Sequence, residues 1–175
     1  PYAVTKIAQD LINFVYFKSY GTKVIRTRTF NHEGPRRQNV FGISSYAYQI
    51  AMIEKGLQKP IMKVGTLTDK RNFTHVKDIV KAYWLASEKC KIGDLYLIGN
   101  EKKDSIFTFK EVLEMLIKLS TKKNISYKEH KPFVRPTKVP FLIADIKNFK
   151  KITKWKPVLG IKDILKDTLN YWRNE

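Results

Sequence analysis

The sequence predicts an α/β fold, and three observations carry that prediction. Residues 3–19 have helical periodicity, a glycine follows at position 21, and residues 23–30 are rich in β-formers. The same helix–turn–strand rhythm continues to the C-terminus, as in sheets covered by helices. Only three or four strands are evident, too few for a complete doubly wound sheet, so the chain reads as part of a larger fold.

Each element follows from its pattern. In the first helix Ala3, Ile7, Ala8, Leu11, Ile12, Phe14 and Val15 form a wide apolar face. Gly21 supplies the C-terminal stop. Val24, Ile25, Thr27, Thr29 and Phe30 then favour a strand. Residues 31–42, NHEGPRRQNVFG, form a polar loop. Ser44 or Ser45 starts a helix that runs to about Lys55 and closes at Gly56. Residues 61–64 are a short strand and residues 71–75 a short extended piece. A helix runs from Val76 to Lys89, with Ile79, Val80, Tyr83, Trp84 and Leu85 inward. Residues 94–98 form a strand. Thr108 caps a helix over 109–120, and Glu111 completes a capping box. Residues 125–128 can form a strand, and the proline-bearing stretch 132–140 is a loop. Helices near 146–153 and 161–173 close the chain.

Composition narrows the function classes. Hydrophobic residues make up 43% of the chain, enough to bury a core, which excludes global disorder. No stretch approaches the ~18 consecutive apolar residues of a membrane span. The chain starts at Pro1, without an initiating Met or a secretion signal, and a fragment is the simpler reading. The one cysteine, Cys90, makes neither an internal disulfide nor a metal cluster, which fits a reducing, cytoplasmic setting. It reads as a small, half-buried residue near a helix end. The net charge of +18 first suggests nucleic acid. The lysines, however, are scattered over helix faces, and arginine is confined to Arg26, Arg28, Arg36, Arg37, Arg71, Arg135 and Arg173. That distribution disfavours specific nucleic-acid binding, although a basic surface draws anions such as nucleotides.

Four features could carry chemistry. Tyr2 and Lys6 lie four apart on a predicted helix, so both project from one face. An ammonium beside a phenol favours the phenolate, which suits proton transfer with a sugar hydroxyl. By itself the pair reads more readily as a frayed tyrosine near a surface lysine. The loop Asn31-His32-Glu33-Gly34-Pro35-Arg36-Arg37 follows a strand, at the sheet end where α/β folds bind ligands. Its guanidiniums match phosphate geometry. Arg71 leads an extended piece, with Phe73, His75 and Asp78 close behind; it could hold a pyrophosphate, but by itself reads more readily as a surface arginine with Asp78 capping the next helix. Arg135, kept extended by Pro136, reads alone as solvated. His75 and His130 have no ligand-spaced partners and read as structural or surface residues. No G-x-G-x-x-G run occurs.

The order of these motifs resembles the GDP-mannose 4,6-dehydratases of the extended short-chain dehydrogenase/reductase superfamily. Pro1-Tyr2-Ala3-Val4-Thr5-Lys6 is similar to the S-P-Y-A-x-S/T-K catalytic helix, and Phe30-Asn31-His32-Glu33-Gly34-Pro35-Arg36-Arg37 to the F-N-H-x-x-P-R-R signature. Gly65, Arg71-Asn72-Phe73 and Val76-Lys77-Asp78-Ile79-Val80 resemble the segment around R-D-F-x-x-V-x-D-x-V. Arg135-Pro136, Val139-Pro140 and Trp155-Lys156-Pro157 resemble R-P-x-x-V-P and G-W-x-P.

The resemblance implies the C-terminal part of an extended Rossmann fold: the last sheet elements plus the smaller α/β domain that binds the nucleotide sugar. Residues 1–40 would belong to the Rossmann domain and residues 41–175 mainly to the substrate domain, with the cofactor-binding N-terminal half missing. It implies Tyr2 and Lys6 as catalytic residues. It puts both against the cofactor with His32 and Arg37, and puts Asn31, Arg71 and Arg135 against the GDP part of GDP-mannose or a related nucleotide sugar. The cofactor would be NADP, with NAD as the alternative. The full-length enzyme would be a homo-oligomer and the isolated chain inactive. Asn72 in place of Asp, Thr66 in place of Asn, and Ser45-Tyr46 in place of a basic pair depart from the pattern. They leave open a GDP-4-keto-6-deoxymannose reductase, another nucleotide-sugar dehydratase or epimerase, or an inactive nucleotide-sugar-binding fragment.

Overall fold

A computed structural model describes residues 1–102, 105–134 and 141–175. The elements run in the order α1 (Tyr2–Tyr20), β1 (Arg26–Thr29), β2 (His32–Glu33), α2 (Gly42–Glu54), β3 (Ile61–Val64), β4 (Lys70–Asn72), β5 (Thr74–His75) and α3 (Val76–Lys89). Then come β6 (Leu95–Ile98), β7 (Ile106–Thr108), α4 (Phe109–Lys118), β8 (Ser126–Glu129), β9 (Phe141–Leu142), α5 (Lys147–Thr153) and α6 (Ile161–Asn174). Strands and helices alternate, as the sequence predicts.

The pairings are mostly parallel: β1 with β6, β2 with β5, β3 with β8, and β4 with β9, while β4 also pairs antiparallel with β7. Parallel pairing between elements far apart in sequence is what helical crossovers produce. The nine strands among the described residues exceed the three or four evident from sequence. The additions are short. The predicted loop 31–42 contains the two-residue strand β2, and the predicted extended piece 71–75 is split by Phe73 into β4 and β5. Such strands exist because a distant backbone offers hydrogen bonds, so local composition does not announce them.

Two hydrophobic clusters hold the chain. One packs α2, α4 and α6 with β3, through Ile43, Ile50, Met62, Leu113 and Leu165. The other joins α3, β6 and α5, through Ile79, Ala82, Tyr96, Ile98 and Phe149, with Ile25 and Phe30 against it. Trp155 closes this second cluster, and its Nε1–H donates to the Asp78 carbonyl at 3.1 Å. The Asp78 carboxylate accepts from the N–H groups of Val158 and Leu159 at 3.0 and 2.9 Å. Asp78 thus ties the loop before α6 to the start of α3. Cys90, free and buried, is the C-cap of α3, as its sequence reading expects.

Helix ends follow local chemistry. Gly21 sits at φ 66°, and its N–H bonds back into α1. Thr108 and Glu111 form the predicted capping box of α4. Helix α2 starts at Gly42 rather than at Ser44 or Ser45. Ser44 is fully buried in its first turn and spends its hydroxyl elsewhere, as described below.

One predicted apolar face is turned outward, and a second only in part: on α3 Ile79 is buried and Leu85 packs against the core as expected. No residue of α1 is buried. Asp10, Asn13 and Phe17 are half-buried, while Ala3, Ile7, Ala8, Leu11, Ile12 and Val15 are exposed. On α3 the buried positions are Asp78, Ile79, Ala82 and Ala86, whereas Val80, Tyr83 and Trp84 of the predicted inner face are exposed. Both helices have more apolar surface than the described residues cover. In α3 the small alanines Ala82 and Ala86 take the inner positions, in the same cluster as Tyr96 and Ile98 of β6.

Among the described residues no helix is long and apolar enough to cross a membrane. No group of three or more His, Cys, Asp or Glu among them is placed to hold a metal ion.

Candidate active site

Helix α1 and strand β1 run antiparallel through the turn at Gly21, and one carboxylate fastens them. Asp10 accepts from Arg26 at 3.1 Å and from Arg28 Nε at 3.0 Å. Burial works against the Asp10 carboxylate, but hydrogen bonds and charge from Arg28 and Arg26 outweigh it and hold the pKa below its ordinary value. The Arg26 guanidinium also lies over the Phe14 ring at 4.8 Å. From this anchor Tyr2 is eight residues back along the helix, about 12 Å. His32 is four residues on along extended chain, about 13 Å. Both runs point the same way, so Tyr2, Lys6 and the 31–37 loop share the end of the sheet where β1 and β6 finish.

On α1, Lys6 Nζ lies 5.8 Å from the centroid of the Tyr2 ring and donates to Gln9 Oε1 at 3.0 Å. Tyr2 is 76% exposed, so the described residues do not screen its hydroxyl from water.

The loop after β1 is held from the other side by β5. His32 pairs with Thr74 and Glu33 with His75. The Thr74 N–H donates to the Asn31 carbonyl at 3.1 Å, and His32 Nδ1 lies 3.0 Å from the Phe30 carbonyl. Gly34 is required here. Its φ is 154°, and a Cβ would come 2.6 Å from Val76 Cγ1. Arg36 takes the left-handed conformation at φ 68°, uncommon for a side-chain-bearing residue. Arg37 then lays its guanidinium 3.8 Å over the Phe41 ring. Its Nε is buried without a hydrogen-bond partner among the described residues.

Arg71 stands on β4, three residues before Thr74, and is not solvated. It donates to its neighbour's carbonyl, Lys70 O, at 2.8 Å and pairs with Asp69 at 3.1 Å. The structure therefore brings Asn31, His32 and the strand following Arg71 together, and puts Tyr2 and Lys6 at the same sheet end. Arg135, with Pro136, Val139 and Pro140, lies outside the described residues. His75 is fully buried and structural. Its Nδ1 accepts from the Lys77 N–H at 3.1 Å, and its Nε2 lies 3.3 Å from Asp167. His130 stacks edge-on against Phe133, with ring centroids 4.8 Å apart.

Three polar residues near the loop were not singled out by sequence. Glu33 is buried, and burial pushes its carboxyl up to about 7 against the opposing charge of Arg37. Asn100 is buried at the end of β6, and its amide lies 3.4 Å from the Phe73 carbonyl. Thr74 has a fully buried hydroxyl without a partner among the described residues. A carboxylate in a polar loop reads as solvated until a pairing strand covers it, and no local signal marks the other two.

Against known proteins, the family model for GDP-mannose 4,6 dehydratase matches residues 1–168. The chain belongs to the GDP-mannose 4,6-dehydratase family. Within this nucleotide-sugar dehydratase and epimerase group it is 28% identical over 174 residues to GDP-6-deoxy-D-mannose reductase of Pseudomonas aeruginosa, covering 99% of this chain and 56% of that protein. It is 29% identical over 166 residues to GDP-mannose 4,6 dehydratase 1 of Arabidopsis thaliana, covering 95% of this chain and 45% of that one. The structure of RMD from Pseudomonas aeruginosa complexed with NADPH superposes with a TM-score of 0.89 at 27% identity, over 99% of this chain and 56% of that chain. The fold is thus that of the C-terminal half of extended short-chain dehydrogenases. The chain spans about half the length of the curated relatives it matches.

The solved structures that share this fold include ones in complex with NADPH and with NAD. In the 31–37 loop the Arg37 Nε is buried against the Phe41 ring, and His32 is held by the Phe30 carbonyl.

Proposed function

We propose that this chain is the substrate-binding part of an enzyme that converts GDP-mannose to GDP-4-keto-6-deoxymannose by internal redox and dehydration. The observation that supports it most is the F-N-H-x-x-P-R-R loop, seated at the end of β1 and pinned by its pairing with β5. Residues 1–40 belong to the cofactor lobe and 41–175 mainly to the sugar lobe, and α3, β6 and α5, which pack beside β1, extend the cofactor lobe. Asn31, Arg71 and Arg135 hold the GDP part of the sugar nucleotide. His32 and Arg37 hold the cofactor, NADP in preference to NAD.

When bound, the cofactor would supply the hydride exchange, accepting hydride from C4 and giving it back at C6 as C5 regains a proton. The residues of this chain move the proton. Tyr2 takes it from the sugar 4-hydroxyl, and Lys6, one helical turn away, stabilises the phenolate that results. The ketone at C4 acidifies C5, which permits loss of water across C5 and C6. A base for that step, and cover for the exposed Tyr2, come from outside these residues. The complete protein is a cytoplasmic homo-oligomer, and the isolated chain does not turn GDP-mannose over.

A second reading, reduction of a GDP-linked 4-keto-6-deoxyhexose, is favoured by the reductase relative and its structure. It is also favoured by Asn72, where the dehydratase pattern has Asp. Asn72 is fully buried with its Oδ1 unpartnered among the described residues. The complete enzyme separates the two. A dehydratase forms the 4-keto product from GDP-mannose with no net change in absorbance at the NADPH band. A reductase ignores GDP-mannose and oxidises NADPH with the 4-keto sugar. Activity only on UDP- or dTDP-sugars sinks both.

A further inference from the structure

The loop that carries Arg37 is held by a helix more than a hundred residues away. Ser44, fully buried in the first turn of α2, donates its hydroxyl proton to the Arg37 carbonyl at 2.6 Å. The same oxygen accepts the indole N–H of Trp172 at 2.9 Å. Trp172 lies on α6 and is wedged edge-on between Tyr48 and Tyr171, with centroid distances of 5.0 and 5.1 Å. Next to it, Arg173 clamps Glu54 at the end of α2. The hydroxyl thereby spends its one proton on Arg37 and accepts one from Trp172.

Arg37 needs such a hold. The preceding residue, Arg36, sits in the left-handed region at φ 68°, which a side-chain-bearing residue leaves unless its surroundings fix it. The Arg37 N–H makes only a long contact of 3.4 Å to the Gly34 carbonyl. The Ser44 bond is the short, well-buried one. The guanidinium in turn rests on Phe41, the residue that caps α2. Carbonyl and guanidinium of Arg37 are therefore both referred to the first turn of α2, and α2 is referred to α6.

We infer that Ser44 and Trp172 are positioning residues: a two-bond relay through which the C-terminal helix sets the place of the Arg37 guanidinium. The inference rests on the proposed function only for what Arg37 touches, the cofactor; the relay itself is a property of the chain.

Trypsin reads it directly, because it cuts after the carbonyl that Ser44 holds. Ser44→Ala and Trp172→Phe each raise the rate of cleavage after Arg37 about tenfold, the scale of one buried hydrogen bond. Cleavage after Lys166, inside α6, stays unchanged. Trp172→Phe keeps the ring and loses only the N–H, so it reports on the bond where Ser44→Ala is poorly folded. Ser44→Thr, which keeps a hydroxyl, returns the rate toward the parent value. Equal acceleration at Arg37 and Lys166 means general loosening and overturns the relay, as does no change at Arg37.

In the complete enzyme Ser44→Ala weakens NADP+ about tenfold, by fluorescence titration, and leaves GDP-mannose affinity unchanged. Weakening of both ligands alike overturns the positioning role. If Arg37→Ala leaves NADP+ affinity intact while the tryptic effects persist, the cofactor reading of Arg37 fails and the relay stands.

Discussion

Helices α1 and α6 are both long and amphipathic by sequence, yet they differ in what they bury. Helix α1 buries no residue and is tied to β1 chiefly through Asp10. Helix α6 buries Ile164, Leu165, Thr168 and Leu169 against α2 and α4 and adds the Arg173–Glu54 pair. The contrast shows that an apolar stripe specifies a helix but not its partner. Helix stability in a protein comes mostly from the packed face.

The largest expected effect tests that contrast. Leu165→Ala removes a fully buried side chain and costs about 3 to 4 kcal/mol, read from urea unfolding. Leu11→Ala, at an exposed position of α1, costs about 0.5 kcal/mol or less in the same assay. A comparable loss at both positions breaks the comparison.

The loop between the two regions supplies the next test. The Glu33 carboxyl titrates at about 7 in the folded chain, against an ordinary value of 4.5. Between these values the folded state binds more protons than the unfolded state, so stability falls as pH rises from 4.5 to about 7 and is level above that. The loss is on the order of 3 kcal/mol. Glu33→Gln flattens the profile over this window and stabilises the chain at pH 8. An unchanged profile shows that Glu33 is not the group responsible.

A smaller effect belongs to the clamp on α6. Arg173 holds Glu54 well below the usual carboxylate range, at about 2, with help from the Thr121 N–H and the Ser120 hydroxyl and against the cost of burial. That contribution is complete above the ordinary value of 4.5 and is lost as pH falls toward 2. Arg173→Ala costs about 2 kcal/mol at neutral pH and much less near pH 2. The smallest effect is at the fastening of α1. Asp10→Asn costs about 1 kcal/mol or less, and added salt shrinks it further. A salt-insensitive loss would mean that α1 is held by packing after all.

Much of the fold, and the chain order of the candidate site, was legible in the sequence because those signals are local or ordered along the chain. Gly21, the Thr108–Glu111 box and the range of α3 follow from capping chemistry that acts within one turn. The F-N-H-x-x-P-R-R run and the Tyr2–Lys6 spacing are fixed by covalent order, so they stood out before any folding. Glu33, Ser44 and Asn72 were not legible in this way. A loop glutamate, a helix-start serine and an asparagine beside an arginine look solvated until β5, α6 and β7 close over them.

By itself, then, the sequence determined the alternation of helices and strands, the places where helices stop, and which loop carries the basic and imidazole groups. These depend on backbone preferences and contacts a few residues apart. Only the tertiary structure decided that β2 and β5 exist, that α3 buries its alanines rather than Val80 and Trp84, and that Ser44 serves Arg37 and Trp172 instead of capping its helix. Each of those outcomes turns on which surface arrives from a remote part of the chain, and burial and hydrogen bonding are settled only when that surface is in place.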